Sequence, residues 1–277
     1  MPLSSSWRSN KEELARLKAA VGRYAEKMSP AEREYAADPV LWAEEVLGYH
    51  PDSWQADLLR SRSKKIILNC SRQSGKSTTC AALGLHESIY RRPSFGLVIA
   101  PTQDQSSELM MKFDEFRGAV ELPSDYLSTD TKLAVKFANG NRFVARPGSE
   151  KSARSFSAVT LLLEDEASRV LDDLYNTVRP MLAVSNGRHI LMSTPFGKRG
   201  HFFRIWSEER DLWEWYEIPA EKCPRISPEF LAEEKRTNPW FEQEYHCVFM
   251  ETVDSVFTFD QVTGAMSDKI EPLFGVG

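Results

Sequence analysis

The stretch KKIILNCSRQSGKST, residues 64–78, decides the fold. Its first half is an apolar run with no alternating polar residues, as a strand covered on both faces requires. Its second half, SRQSGKST at 71–78, is a short polar loop that leads into a helical pattern. A loop set between a strand and a helix in this way surrounds phosphates with backbone N–H groups and the helix N-terminus. Lys76 is then expected to reach the β- and γ-phosphates as a point charge, and Ser77 to offer its hydroxyl to Mg²⁺. Gly75 lets the backbone pass close to a phosphate. Ser71, Gln73, Ser74 and Thr78 complete the expected nucleotide-binding set. The usual motif has a glycine at the position occupied here by Cys70.

Three more apolar runs extend the pattern outward: FGLVIAP (95–101), VTLLLEDEA (159–167) and RHILMST (188–194). Between them, LAVKFANGNRFVARP alternates loosely around Asn139-Gly140, a hairpin signal. Strands of this kind separated by helical stretches predict an α/β fold, a mainly parallel central sheet flanked by helices. The run LLLEDEA ends in acids, as the strand facing a phosphate loop does in a Mg·ATP site. Asp165 is expected to hold the Mg²⁺ shell and Glu166 to orient or deprotonate the attacking water. Strand alternation places the competing Glu164 on the opposite face. Ser193, Thr194 and Pro195 end the last run; they either sense the γ-phosphate and pass hydrolysis to the following turn, or form an ordinary strand-to-loop turn.

Four regions are expected. Residues 1–60 form an N-terminal helical segment packed on the core. Within it, Leu14, Leu17, Val21, Tyr24 and Met28 mark an amphipathic helix over 8–28, and a second helix begins at Asp38-Pro39 and ends near Gly48. Residues 61–200 form the core. Residues 201–255 form a small, helical and aromatic lid or linker subdomain, with a helix start at Ser227-Pro228. Residues 256–277 read as a linker. Hydrophobic residues make up 42% and charged residues 27% of the 277, ordinary for a globular protein, and no apolar run approaches a membrane span. No membrane association and a cytoplasmic location are expected. A net charge of −5 does not suit a protein that coats nucleic acid, although a local basic surface would suffice for contact with it. The four cysteines form no CxxC pair and are expected to be reduced and buried.

Together these motifs resemble the large terminase subunit of tailed bacteriophages. The family's phosphate loop lacks the first glycine and carries Arg-Gln-x-Gly-Lys, here Arg72-Gln73-Ser74-Gly75-Lys76. Its Ala-Pro-Thr segment matches APTQDQ (100–105), its acidic strand end matches Asp165-Glu166-Ala167, and its coupling motif matches Ser193-Thr194-Pro195 with Gly197. GYHPDSWQ (48–55) resembles its adenine-recognition segment, with Gln55 as amide donor and acceptor. The resemblance spans roughly residues 38–250. It implies a RecA-like, ASCE-type P-loop ATPase core that uses ATP and Mg²⁺ to drive double-stranded DNA into a procapsid in the host cell cytoplasm. It further implies a homo-oligomeric ring docked on the portal protein, assisted by a small terminase subunit, and possible as a monomer in isolation.

A full-length member also carries a nuclease. No strand-borne acid cluster follows Phe257-Thr258-Phe259-Asp260, so an isolated ATPase domain without DNA-cutting activity is expected. Arg72 is the candidate for charge stabilisation in cis, with Arg154, at the spacing of a family arginine, as a second; Arg142 or Arg146 are candidates for acting on a neighbour's site. Lys198, Arg199 and Arg204, with Lys132 and Lys136, are candidate DNA contacts. Two alternatives stand beside this reading: a fragment of a helicase or translocase with two RecA-type domains, and a nucleotide-dependent scaffold without turnover.

Overall fold

The computed structural model describes residues 28–122, 126–147 and 156–251, with 261, 264 and 265. The helix expected over 8–28 lies outside these apart from Met28, as do Arg154 and the segment 257–260. The chain opens with three short helices, α1 (Pro30–Ala37), α2 (Pro39–Glu45) and α3 (Ser53–Arg60). The boundary expected at Asp38-Pro39 is present. The Asp38 carboxylate accepts from Val40 N–H at 2.9 Å, and Pro39, which has no N–H to leave unpaired, occupies the first turn of α2. Asp38 also pairs with Arg60 at 2.7 Å, tying the start of α2 to the end of α3.

The core follows as β1 (Lys65–Cys70), α4 (Lys76–Tyr90), β2 (Phe95–Ala100), α5 (Gln103–Ala119), β3 (Leu127–Thr131), β4 (Ala134–Phe137), β5 (Arg142–Pro147), β6 (Leu161–Asp165), α6 (Asp172–Val178), β7 (Arg188–Ser193), α7 (Gly200–Glu208) and β8 (Glu214–Ile218). Two further helices, α8 (Pro228–Thr237) and α9 (Phe241–Tyr245), complete the described chain up to residue 251. All eight strands share one sheet in the order β3-β4-β5-β2-β6-β7-β1-β8. The six from β5 to β8 run parallel, while β3 and β4 are antiparallel additions at one edge. Gly140, at φ +87°, makes the turn between β4 and β5 where Asn139-Gly140 predicts a hairpin.

Strand alternation sorts the core into two layers. Ile66, Leu68, Leu161, Leu163, Ile190 and Met192 point to one face, where they pack with Trp42, Leu58, Leu83 and Phe113 of the helices. On the other face Leu162 packs with Val170, Leu174 and Val178, and Ile67 and Leu191 pack with Phe202, Ile205 and Trp213. Helices therefore cover both faces of a mainly parallel sheet, the three-layer arrangement predicted from the apolar runs.

Two strands were not expected. The strand β3, LSTDT, is polar and largely exposed, so no apolar period marks it. The strand β8 falls where a helical, aromatic stretch is expected after Gly200. It pairs in parallel with β1, from Ile66 opposite Glu214 to Cys70 opposite Ile218. As an edge strand it buries only Ile218 fully, and its aromatic residues read equally well as the centre of a small subdomain. The helix α7 and the strand β8 thus build onto the core sheet. A separate small cluster of Ala220, Phe241 and Tyr245 gathers the chain beyond it. All four cysteines are free and buried. Among the described residues no helix is long and apolar enough to cross a membrane.

Candidate functional site

The parallel strands β1, β6 and β7 end together, and the loops that leave them enclose a cleft of about 880 Å³. The strand β7 lies between β1 and β6, so the Ser193 segment reaches the cleft between the phosphate loop and the acidic strand end. After β1 the chain turns sharply. Gln73 holds φ +59° and Gly75 φ +89°, and α4 begins at Gly75 with no side chain capping it. The helices α1, α2, α5 and α8, by contrast, are each closed by a side-chain acceptor from Ser29, Asp38, Thr102 or Ser227. The uncapped first turn of α4 leaves backbone N–H groups to be satisfied by something other than a side chain. A Cβ at Gly75 would lie 2.7 Å from Gln55 Nε2 and 3.3 Å from Arg225 Nη2, so a side chain here would displace the Gln55 amide as well as strain the backbone at φ +89°.

Lys76 lies at the foot of this loop and forms an ion pair with Glu166 at 3.1 Å. Burial alone would lower the Lys76 ammonium, but the carboxylates of Glu166 and Asp165 outweigh it and hold its pKa above the ordinary value. The Ser77 hydroxyl donates to Asp165 Oδ2 at 3.2 Å. Burial pushes the Asp165 carboxyl up to about 6, against the pull of Lys76. Glu166 holds φ +51°, a region sparsely populated by residues other than glycine, and its N–H donates to Asp165 Oδ1 at 3.0 Å. That backbone turn swings Glu166 out of the strand direction to meet Lys76. Glu164 falls on the opposite face as alternation predicts. There it accepts from His201 Nε2 at 2.6 Å and lies 3.3 Å from His189 Nε2.

The Ser193 segment connects to the acidic strand end through a residue the sequence did not single out. The Ser168 hydroxyl donates to the Thr194 carbonyl at 2.8 Å and lies 2.7 Å from Ser193 Oγ, and Ser168 follows Glu166 by two positions. Ser193 is buried, whereas Thr194 and Pro195 line the cleft. Gly197 N–H donates to Gln243 Oε1 at 3.3 Å, and the Phe196 ring lies 3.7 Å from the Arg169 guanidinium and 5.1 Å from that of Arg199.

Of the expected nucleotide contacts, Gln73, Ser74, Gly75, Lys76, Ser77 and Thr78 line the cleft. Ser71 and Gln55 do not. Ser71 is buried, and its N–H donates to the Ile218 carbonyl, which joins the loop to β8. Gln55 is only 1% exposed, so in place of a free donor and acceptor for a base it is a brace. Its Oε1 accepts from Tyr49 Oη and Asp52 N–H, both at 2.9 Å, and its Nε2 donates to the Ser74 carbonyl at 3.2 Å. The same carbonyl accepts from Arg225 Nη2 at 3.0 Å, and Arg225 grips Asp52 with two bonds of 3.1 and 2.8 Å. Arg225 lines the cleft but was missed, because a lone arginine after Cys223-Pro224 belongs to no pattern.

The arginines divide by position. Arg72 lines the cleft, is half exposed, and pairs with Glu244 at 2.9 Å. Arg169 lines it as well and was not anticipated. Arg142 and Arg146 lie on β5, outside the cleft. The Arg142 guanidinium stacks 3.7 Å from the Phe95 ring, and that of Arg146 lies 5.6 Å from Phe156. Among the described residues no group of three His, Cys, Asp or Glu is placed to hold a metal. The hard oxygens of Ser77 and Asp165 together suit a cation that takes its remaining ligands from phosphate and water. The uncapped turn and the half-buried Lys76 likewise fit a polyphosphate.

Residues 67–263 match the family model described as terminase large subunit, T4likevirus-type, N-terminal. The large terminase subunit of Thermus phage G20c is 28% identical over 174 residues, 55% of this chain and 35% of that protein. The chain therefore spans about a third of the length of that relative. The Thermus phage P74-26 large terminase ATPase domain superposes with a TM-score of 0.66 at 21% identity, covering 75% of this chain and 97% of that one. The large terminase of a thermophilic bacteriophage in complex with ADP superposes with a TM-score of 0.56 at 11% identity, covering 72% and 53%. At these identities the structural likeness concerns the fold, which is the RecA-like α/β fold of phage large terminase ATPase domains.

Proposed function

The chain belongs to the terminase large subunit family of the T4likevirus type, in its N-terminal region, and on that premise we propose that it is the ATPase motor domain of a viral DNA-packaging machine. The observation that carries this reading is the convergence of Lys76, Ser77, Asp165 and Glu166 in one cleft at the ends of β1 and β6. The cleft is the place for ATP, the large terminase of a thermophilic bacteriophage being known in complex with ADP. Lys76 and the first-turn N–H groups of α4 receive the phosphates, and Ser77 with Asp165 would hold Mg²⁺. The ion would supply charge neutralisation on the phosphate oxygens. Glu166, half-buried in the cleft wall and aimed by its own backbone turn, positions the water and accepts its proton. Ser168 couples Glu166 to Ser193 and Thr194, so a change at the acid is passed to the Pro195-Phe196-Gly197 turn.

In this reading the chain acts in the host cytoplasm as one member of a homo-oligomeric ring, with double-stranded DNA, the portal protein and a small terminase subunit as partners. Arg72 and Arg169 act within the subunit, with Arg154 a further candidate there; Arg142 and Arg146 remain candidates for a neighbour's site. The defining test is Glu166→Gln. ATP turnover by the purified chain should fall by about 10²- to 10⁴-fold, while a fluorescent ATP analogue still binds. Turnover left near the wild-type rate would take Glu166 out of the reaction and the motor reading with it.

A further inference from the structure

A second cleft, of about 430 Å³, lies at the end of the sheet opposite the phosphate loop, where β1 and β7 begin. Arg62, Lys64, Arg91 and Arg188 line it together with one carboxylate, Glu87. Glu87 is shared between two of the arginines, accepting from Arg188 Nη1 at 2.9 Å and from Arg91 Nη1 at 3.2 Å. Arg188 is 3% exposed; its Nε donates to the Ser63 carbonyl, and its Nη2 has no hydrogen-bond partner among the described residues. Lys64 and Arg62 lie exposed at the rim and reach only neutral carbonyls, those of Asn186 at 2.6 Å and Ala37 at 3.3 Å. Burial, together with Arg91 and Arg188 beside it, holds the Lys64 ammonium below its ordinary pKa. Four cations therefore share one lining anion, and a buried guanidinium N–H is left unpaired, a combination that costs free energy until an anion arrives.

Of the five basic residues first considered for DNA, three are engaged elsewhere, while Lys132 and Lys136 lie exposed singly along the β3–β4 edge. Lys198 pairs with Glu251 at 2.9 Å, Arg204 lies between Asp172 and Glu209 at 3.6 and 3.7 Å, and Arg199 faces Phe196. The cleft is different because its charge is in excess. Guanidinium forks match the oxygens of a phosphate, and lysine adds a point charge. The exposed rim lets a polymer pass across the opening while Arg188 stays fixed in the floor.

We propose that the cleft of Arg62, Lys64, Arg91 and Arg188 is a phosphate-binding site that holds a backbone phosphate of duplex DNA. The DNA assignment rests on the packaging reading; the phosphate chemistry does not. The test measures duplex binding by fluorescence anisotropy over a salt series, for the wild-type chain, Arg62→Ala/Lys64→Ala and Lys235→Ala, the last at an exposed lysine of α8 that lines neither cleft. The double variant should bind about tenfold more weakly at low salt, and its log–log salt slope should drop by up to about 1.8, with the Lys235→Ala slope falling by no more than about 0.9. Arg62→Lys/Lys64→Arg should restore binding, and retained binding of a fluorescent ATP analogue shows the double variant to be folded. Heat stabilisation by inorganic phosphate separates the two phosphate sources. If it depends on Arg62 and Lys64 while duplex binding does not, the cleft takes a free anion and the DNA assignment falls. If neither ligand depends on them, or only an acidic peptide such as polyglutamate does, the phosphate site itself is overturned. A chain that binds no duplex at all counts against the packaging reading, and the phosphate measurement then decides the cleft alone.

Discussion

Arg225 shows what a single side chain adds to a phosphate loop. Its guanidinium spans from Asp52, just before α3, to the carbonyl of Ser74, and the Gln55 amide donates to that same carbonyl. Two donors on one carbonyl fix the peptide that precedes Gly75, and with it the orientation of the N–H groups that follow. Arg225→Ala should therefore raise the KM for ATP by roughly three- to tenfold and change kcat less, the modest size reflecting a half-exposed guanidinium. Arg225→Lys should recover only part, since an ammonium cannot span both partners. Steady-state kinetics decide the matter, and an unchanged KM in the alanine variant would reduce Arg225 to a surface ion pair. The convergence of Lys76, Ser77, Asp165 and Glu166 in one cleft was legible because these residues lie in local motifs whose chemistry is written within a few positions. Arg225 was not, since its partners lie some 150 to 170 positions away in the chain. Gln55 was legible as important yet not in its role, because a glutamine serves equally as a brace and as a base contact.

At the scale of the element, β6 separates two chemistries on its two faces. Asp165 turns to the cleft, while Glu164 is enclosed with His201 and His189, and Tyr175 stacks on the His201 ring at 4.2 Å. Burial alone would raise the Glu164 carboxyl, but hydrogen bonds from His189 and His201 hold it below the ordinary range. A depressed carboxyl contributes stability that is present at neutral pH and lost as pH falls through its folded-state value, below about 4.3. Glu164→Gln should thus cost about 1–3 kcal/mol at pH near 7, and the gap to wild type should narrow once the pH is taken well below the ordinary glutamate range. Urea melts at the two pH values provide the comparison, and an equal gap at both would show that the carboxylate's charge is not what matters. Period-two alternation was enough to place Glu164 and Asp165 on opposite faces, and continuous apolar runs were enough to find β1, β2, β6 and β7. The edges escaped. A strand paired on one side need not be apolar, so LSTDT and EWYEI carried no clear period, and β8 passed for part of a helical subdomain.

For the whole molecule, the placement of the arginines sets the expectation for assembly. Arg146 sits at the end of β5, on the same edge of the sheet as the cleft but two strands beyond β6, and it does not line the cleft. In the motor reading an arginine so placed would serve a neighbour's phosphates and not those of its own cleft. Turnover of the purified chain should then rise faster than protein concentration, and Arg146→Ala should remove the excess while sparing the turnover seen at high dilution. Strict proportionality at all concentrations would favour a self-contained site served by Arg72 or Arg169. In the motor reading, the strand β7 bears on how force would be transmitted. It begins with Arg188 in the basic cleft, ends with Ser193 behind the nucleotide cleft, and is hydrogen-bonded along its length to β1 and β6. Six residues of extended chain are about 20 Å of backbone that neither stretches nor shortens appreciably. In that reading it would serve as a pushrod, passing a shift at one tip to the other with no hinge between them to absorb it.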